Sequence, residues 1–216
     1  LEISMNKLIA PFPWFGGKLW IADQVWSRFG DVKNYVEPFA GSMAVLLARP
    51  GWNGQGWAGG KHRIETINDL DCYISNFWRA LQADPDEAVR YADWPVNEAD
   101  LHARHLWLVQ QEGFRQRMRS DPDFFDAKIA VWLVLGISAW IGSGWCNSDS
   151  LGKDGFTAQK LPSLCAFGSG IHSLTWRDNR LTLMQALAAR LQDVRVCCGD
   201  WSRVLGYTST THSGLT

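Results

Sequence analysis

Apolar and polar positions divide the chain into strand-like segments separated by segments with helical spacing. Short apolar runs predict β-strands at 34–39 ("NYVEPF"), 63–69 ("RIETIND") and 194–198 ("VRVCC"). Each run closes on a turn signal that contains glycine, asparagine or aspartate. Strands that alternate with helices predict an α/β fold built on a sheet.

Three helices are predicted around these strands. The first, at 43–49, follows the first strand and is ended by Pro50 and Gly51. The other two carry an apolar residue every three or four positions on one face. These positions are Leu70, Ile74, Phe77 and Leu81 after the second strand, and Leu181, Met184, Leu187 and Leu191 before the third.

The middle of the chain has a different pattern. Asn97 predicts the N-cap of a helix that runs to about Gln111. The apolar run at 129–141 ("IAVWLVLGISAWI") predicts a buried helix that is too short to span a bilayer. We therefore expect an α/β core formed by residues 1–84 and 181–216, interrupted by a mainly helical insertion at 85–180.

Composition changes this picture little. The 216 residues are 46% hydrophobic and 20% charged, which predicts a packed core and excludes disorder. The net charge of -1 gives no overall signature of nucleic-acid binding, although a single basic face would suffice. The five cysteines contain no C-x-x-C pair, which indicates reduced thiols in a cytosolic protein rather than a disulfide framework or a zinc site. The N-terminus lacks the pattern of a signal peptide.

Chemically distinctive residues mark the carboxyl ends of all three predicted strands. Gly41 suits the close approach of a ligand, but it also suits an ordinary strand-to-helix turn. Asp69 suits a ribose diol, with a helix N-cap as the alternative. Asp200 and Trp201 suit an adenine amine and its ring, with a cap again as the alternative for the carboxylate. Ligands bind outside the carboxyl ends of such strands, so the three positions together predict a ligand site.

Four motifs occur in an order that is found in a known enzyme family. They are "WFGGK" at 14–18, "EPFAGS" at 37–42, "ND" at 68–69 and "GDW" at 199–201. In these motifs the chain resembles the Dam-like adenine-specific (N6) DNA methyltransferases over nearly its whole length. The resemblance implies a Rossmann-like methyltransferase sheet, with a target-recognition segment inserted at 85–180. It also implies methyl transfer from S-adenosylmethionine to the exocyclic amine of adenine in double-stranded DNA.

The resemblance assigns residues to the cofactor. The first two motifs would cradle the methionine part of S-adenosylmethionine, the third would hold its ribose, and the fourth would surround its adenine. The matching residues are Trp14, Gly16, Gly17, Lys18, Pro38, Phe39, Ala40, Gly41 and Ser42 for the methionine part, Asp69 for the ribose, and Asp200 and Trp201 for the adenine. The chain departs from the family at Met43, where many relatives have a second glycine.

The resemblance gives no base-reading residue, because the insertion varies most among relatives. Four arginines in it are predicted to contact DNA phosphates, although a solvated helix face explains them equally well. They are Arg104, Arg115, Arg117 and Arg119. A cognate restriction enzyme is a further partner consistent with the resemblance, and no membrane contact is expected. The expected location is the cytoplasm of a bacterial cell or a phage-infected host.

The family's catalytic motif, D-P-P-Y at the end of a fourth strand, does not occur in the 216 residues. In the family, its Asp and a proline carbonyl accept hydrogen bonds from the amine of the flipped adenine, and its Tyr stacks on the base. We therefore expect the chain to stop short of its catalytic strand. The sheet would then be incomplete, with the first strand as an open apolar edge, and the chain alone would be poorly soluble or partly unfolded, and inactive.

Two other interpretations remain open. One is a natural short form that binds S-adenosylmethionine or DNA without catalysis. The other is a methyltransferase that acts on RNA or on a small molecule. The inserted middle segment disfavours the second, because such enzymes rarely need an insertion there.

Overall fold

Three parallel strands form the sheet of the computed structural model. The structure describes residues 8–54, 56–60, 63–92, 95–140, 145–146, 162–163, 170–173, 176 and 178–206. The strands are β1 (Asn34–Glu37), β2 (Ile64–Asp69) and β3 (Val194–Cys198), in the order β1-β2-β3. Asn34 pairs with Ile64, and Asp69 pairs with Cys198. The predicted α/β fold is confirmed, although β1 ends two residues earlier than expected, before Pro38.

Helices precede, connect and follow these strands. The α-helices of the described residues are α1 (Ala22–Phe29), α2 (Ala44–Leu47), α3 (Cys72–Ala83), α4 (Pro85–Ala92), α5 (Glu98–Val109), α6 (Phe114–Ser120), α7 (Ala127–Ala139) and α8 (Arg180–Leu191). Short 3-10 turns cover Leu19–Ile21 and Trp201–Val204. None of these helices is long and apolar enough to cross a membrane.

The predicted apolar faces of α3 and α8 are largely correct. Ile74, Phe77 and Leu81 of α3 are buried, but Leu70 is 68% exposed because it precedes the helix. In α8 the buried positions include Leu183, whereas Leu181 is 45% exposed. The predicted stripe therefore included one residue of the outward face, in the first turn of α8.

The helices of the middle segment share a core with the sheet region. Asn97 caps α5 as predicted, by accepting hydrogen bonds from the amides of Ala99 and Asp100. The apolar helix α7 packs against α3, α4 and α5. One continuous cluster of buried side chains includes residues of β1 and β2 together with residues of α4 and α7. Packing therefore joins α4 and α7 directly to the strand-bearing part of the chain.

A buried ionic cluster lies at the amino end of β2. Glu65 is 3% exposed and accepts hydrogen bonds from Arg49 at 2.9 Å and from Arg190 at 2.6 Å. Both guanidinium groups lie over the ring of Trp57, at 4.9 and 5.0 Å from its centroid. Such a pair is costly to break, because removing one partner leaves a buried charge uncompensated. This cluster joins the segment after α2 to β2 and α8, at the end of the sheet opposite to Asp69 and Asp200.

Candidate cofactor site

Asn68, near the end of β2, connects the ends of all three strands. Its side-chain amide donates hydrogen bonds to the carbonyl oxygens of Pro38, at 3.0 Å, and Gly199, at 2.9 Å. The backbone carbonyl oxygen of Asn68 accepts a hydrogen bond from the backbone amide of Ala40 at 2.9 Å. The backbone carbonyl oxygen of Asp69 accepts one from the amide of Gly199 at the same distance. The segments that follow β1 and β3 are therefore held against the end of β2. Sequence reasoning quoted Asn68 in a motif but gave it no role.

The carboxylate of Asp69 organises the turn after β1. One oxygen accepts a hydrogen bond from the amide of Gly41 at 2.9 Å, and the other accepts from the amide of Asp71 at 3.0 Å. The alternative role of Asp69 as the N-cap of α3 is wrong, because Asp71 caps that helix by accepting from the amide of Tyr73 at 2.8 Å. Each carboxylate oxygen can accept more than one hydrogen bond, so Asp69 retains capacity for a hydroxyl donor.

Trp14 covers the turn at Gly41. A β-carbon added to Gly41 would lie 2.3 Å from Cδ1 of Trp14, and Gly41 has a positive φ of 50°. The segment that carries Trp14 is itself a tight turn, in which the amide of Gly17 donates to the carbonyl oxygen of Trp14 at 2.8 Å. Gly16 in this turn has a φ of 69°. Both backbone conformations favour glycine, and at Gly41 the indole of Trp14 also leaves no room for a side chain.

Lys18 ties the N-terminal turn to the end of β1. Its ammonium group donates to the carbonyl oxygen of Phe39 at 2.7 Å and lies 3.2 Å from Oε1 of Glu37. Glu37 is buried, and its other oxygen accepts from the Tyr35 hydroxyl and the Leu46 amide. Burial raises the pKa of Glu37, while the charge of Lys18 opposes that rise. Sequence reasoning missed Glu37, although an acidic residue within an apolar strand was the available signal.

Met43 occupies a backbone position that usually selects glycine. Its φ and ψ angles are 56° and 26°, in the left-handed region, and its side chain is fully buried. For a residue with a β-carbon this conformation costs about 1–2 kcal/mol. The predicted departure from the family at Met43 therefore coincides with a locally strained backbone. The helix α2 covers only Ala44–Leu47 and is therefore shorter than the predicted helix at 43–49.

Asp200 and Trp201 follow β3 on the exposed side of the same edge. Asp200 accepts a hydrogen bond from the amide of Ser202 at 2.9 Å, so it caps the short 3-10 turn as the alternative interpretation expected. The hydroxyl of Ser202 donates to the same carboxylate. The hydrogen bonds from the hydroxyl and the amide of Ser202 lower the pKa of Asp200, which is fully exposed. The ring of Trp201 is 46% exposed, and its centroid lies 6.2 Å from that of Phe39, which is 63% exposed. The edge therefore presents an anionic group beside two accessible aromatic rings.

The four arginines of the middle segment do not form one surface. Arg104 is only 9% exposed, and its guanidinium lies 5.2 Å from the ring centroid of Trp132. Arg115, Arg117 and Arg119 are exposed on α6. The exposed part of the predicted phosphate-binding set is therefore confined to α6.

Helix α6 lies close to the carboxyl edge of the sheet. The guanidinium of Arg115 is 5.3 Å from the ring centroid of Tyr73, in the first turn of α3. Burial raises the pKa of Asp71, and the nearby charge of Arg115 opposes that rise. The exposed arginines are thus carried by a helix that packs beside the start of α3, close to Asp69.

The comparison with protein families identifies the chain. Residues 14–123, just over half of its length, match the family described as D12 class N6 adenine-specific DNA methyltransferase. The match begins at Trp14 and includes β1, β2, Asp69 and α6. A comparison with curated proteins found no match. The chain therefore belongs to the D12 class of N6 adenine-specific DNA methyltransferases.

Proposed function

We propose that this chain binds S-adenosylmethionine at the carboxyl edge of its sheet and serves methyl transfer to the exocyclic amine of adenine in double-stranded DNA. Family membership indicates adenine N6 methylation of DNA. The observation that carries the proposal for the cofactor site is the pair of hydrogen bonds from Asn68 to Pro38 and Gly199. Through them, motifs that lie far apart in the sequence meet at one edge.

The chemistry of this edge fits the cofactor. S-adenosylmethionine supplies an activated methyl group on a cationic sulfonium, and it also carries hydroxyl and amino donors and an adenine ring. The edge offers carboxylate acceptors at Asp69 and Asp200, and exposed rings at Phe39 and Trp201. The side-chain oxygen of Asn68 is buried and has no hydrogen-bond partner among the described residues. Acceptors and aromatic rings therefore match the donors and the ring of the cofactor.

Each group of residues has a proposed task. Trp14, Gly16, Gly17 and Lys18, with the turn from Pro38 to Ser42, would enclose the methionine part. Asp69 would accept from the ribose hydroxyls while Gly41 and Asp71 hold its carboxylate in place. Asp200 would accept from the adenine amine, and Trp201 would pack against the ring.

Residues 85–180 are proposed to contact the DNA duplex. The support is the position of α6, whose exposed arginines lie beside the start of α3. Guanidinium groups bind phosphate oxygens and orient a protein on the duplex without reading its sequence. A cognate restriction enzyme and a cytoplasmic location remain predictions from the resemblance.

The adenine-activating step is assigned to no residue of this sequence. The D-P-P-Y run that would hold the target amine does not occur in the 216 residues. A second candidate function is binding of S-adenosylmethionine and DNA without transfer of the methyl group. The two candidates share the cofactor site and differ only in turnover.

Calorimetric titration of the chain with S-adenosylmethionine tests the shared part. Asp69→Asn should weaken binding roughly 10- to 100-fold, because a hydrogen bond to a charged group contributes about 1.5–3 kcal/mol. Asp200→Asn should also weaken binding, but by less, because Asp200 is fully exposed to solvent. Asp193→Asn is the matched control, since Asp193 is exposed directly before β3, at the opposite end of that strand from Asp200. Circular dichroism establishes that all three variants are folded.

Transfer of labelled methyl groups to duplex DNA then separates the candidates. Appearance of N6-methyladenine supports the enzyme, and cofactor binding without methylated product supports the binding protein. Equal binding by wild type and both site variants would contradict the proposed cofactor site in either case.

A further inference from the structure

Two cysteines from distant parts of the chain are in contact beside the candidate site. The Sγ atoms of Cys72 and Cys198 are 3.4 Å apart, although 126 positions separate the two residues in the sequence. Both are free thiols. Cys72 is fully buried, whereas Cys198 is partly exposed. One thiol of the pair is therefore accessible to a reagent, and the other lies directly behind it.

Regular structure holds both residues in place. Cys72 is the first residue of α3, immediately after the N-cap Asp71. Cys198 is the last residue of β3 and pairs with Asp69 in the sheet. Because successive side chains of a strand point to opposite faces, Cys197 faces away from Cys72. The contact is thus specific to Cys198 and does not follow merely from two adjacent cysteines in the strand.

We propose that Cys72 and Cys198 are a modification site that forms a reversible disulfide by exchange with a small-molecule disulfide such as glutathione disulfide. The Sγ–Sγ distance in a disulfide is about 2.05 Å, so closing the contact requires a movement of only about 1.4 Å. Most of this movement can come from side-chain rotation. The two elements are already adjacent and need no rearrangement of the fold.

The exchange proceeds in two balanced steps. The accessible Cys198 thiolate attacks one sulfur of glutathione disulfide, which forms a mixed disulfide and releases one glutathione thiolate. The Cys72 thiolate then attacks the Cys198 sulfur and displaces the second glutathione. Two protein thiols are oxidised, one glutathione disulfide is reduced, and the two thiol protons pass to the two released glutathiones.

The bond would join the start of α3 to the end of β3, beside the candidate site. Cys72 comes three residues after Asp69, and Cys198 comes two residues before Asp200. A disulfide would fix the spacing between the segments that carry these carboxylates. The proposal itself concerns only the thiol pair, so it stands or fails independently of cofactor binding.

The test uses the full chain after reduction and removal of the reductant. The protein is incubated with glutathione disulfide, alkylated with iodoacetamide and digested with trypsin. Cleavage after arginine places Cys72 in peptide 64–79, and places Cys197 and Cys198 together in peptide 196–203. We expect these two peptides to become covalently joined and to separate again after treatment with dithiothreitol.

Single variants assign the bond. Cys72→Ser and Cys198→Ser should abolish the joined peptide, whereas Cys197→Ser should retain it at the wild-type level. The joined peptide should also be at least tenfold less abundant when oxidation is carried out in concentrated urea, because the contact is lost in the unfolded chain. A wild-type protein whose peptides stay separate would overturn the proposal. Loss of the joined peptide in Cys197→Ser, with its retention in Cys198→Ser, would overturn it equally.

Discussion

The ammonium group of Lys18 lies 3.2 Å from the buried carboxylate of Glu37 and couples the N-terminal turn to the first strand. Glu37 is 3% exposed, so its charge is poorly solvated and depends on the partners that surround it. Tyr35 and the amide of Leu46 donate to its second oxygen at 3.0 and 3.2 Å. The motif that approaches the candidate site from the N-terminus is therefore anchored on an acidic group within the core.

This ion pair leads to a prediction about pH. Burial raises the folded-state pKa of Glu37 above its ordinary value of 4.5, with Lys18 opposing the rise. Folding therefore favours the protonated form of Glu37. The resulting stabilisation is fully present below pH 4.5, the ordinary pKa of this group, and it is lost as the pH rises through the folded-state pKa. Relative to Glu37→Gln, wild-type stability in urea unfolding should therefore decline from pH 4 towards pH 8.

Lys18→Met provides the second arm of this experiment. Removing the cation removes the largest of the interactions that oppose the effect of burial on the pKa of Glu37. The stability of Lys18→Met, relative to a Lys18→Met, Glu37→Gln double variant, should therefore decline with pH more steeply than that of the wild type. A wild-type advantage that grows with pH would show instead that the ion pair outweighs the cost of burying the carboxylate.

The backbone at Met43 predicts an unusual order of stabilities. Glycine normally destabilises a folded chain by about 0.5–1 kcal/mol relative to alanine. At Met43, with a φ of 56°, alanine keeps the left-handed strain and glycine relieves it. Both variants lose the buried side chain, but Met43→Gly should be more stable than Met43→Ala by about 1 kcal/mol.

Met184 is the matched control for this comparison. It is equally buried, but it lies within α8, where the backbone is helical. Met184→Gly should therefore be less stable than Met184→Ala by about 1 kcal/mol. Unfolding midpoints in urea for the four variants check both orders. The same order at the two positions would contradict the strain assigned to Met43.

Local signals in the sequence account for the strands and for the residues at their ends. The runs that became β2 and β3 each combine apolar residues with a closing Asp or Gly, and both lie where they were predicted. The role of Asn68 could not be predicted in this way. Its acceptors, Pro38 and Gly199, lie 30 and 131 residues away, so the bridge exists only once the sheet is formed.

Two further differences separate the sequence-based predictions from the structure. Arg104 belongs to a run of arginines that suggested a solvated or DNA-facing surface, yet it is buried against Trp132 of α7. The segment at 43–49 has the composition of a helix, yet only Ala44–Leu47 is helical, and Met43 directly before it takes a left-handed conformation. For Arg104 the local pattern was ambiguous, and packing against Trp132 of α7 decided the outcome.

Contact between Trp14 and Gly41 gives a prediction about the turn after β1. A β-carbon at Gly41 would lie 2.3 Å from Trp14, whereas one at Gly16 would meet no atom within 4 Å. Both positions have positive φ, so Gly16→Ala measures the cost of strain alone. Gly41→Ala adds overpacking, which costs about 1–3 kcal/mol more.

A double variant isolates that additional cost. The double variant Trp14→Ala, Gly41→Ala lacks the indole that the new β-carbon would meet. Its loss of unfolding free energy should therefore be smaller than the sum of the losses in the two single variants. The coupling should be absent between Trp14→Ala and Gly16→Ala if the indole acts only on Gly41. Equal destabilisation by Gly41→Ala and Gly16→Ala would show that Trp14 moves aside at no cost.

The different environments of Arg104 and Arg119 predict different effects on DNA binding. Arg119 is exposed on α6, so Arg119→Ala should weaken duplex binding and reduce the dependence of log K on log salt by about 1, as expected for one lost phosphate contact. Arg104 is buried over Trp132, so Arg104→Ala should lower the unfolding free energy and leave the salt dependence of the folded protein unchanged. Arg28, exposed on α1, serves as the control for loss of a surface charge.

Fluorescence anisotropy with a labelled duplex, measured from low to physiological salt, gives these slopes. If Arg119→Ala and Arg28→Ala change the slope equally, the effect is one of net charge, and α6 makes no specific phosphate contact. If Arg104→Ala alone changes the slope, the phosphate-binding surface lies on α5, and the buried guanidinium must leave Trp132 when DNA binds. The expected order, with Arg119 above Arg28 and Arg104, follows because a phosphate can reach only a guanidinium that solvent already reaches.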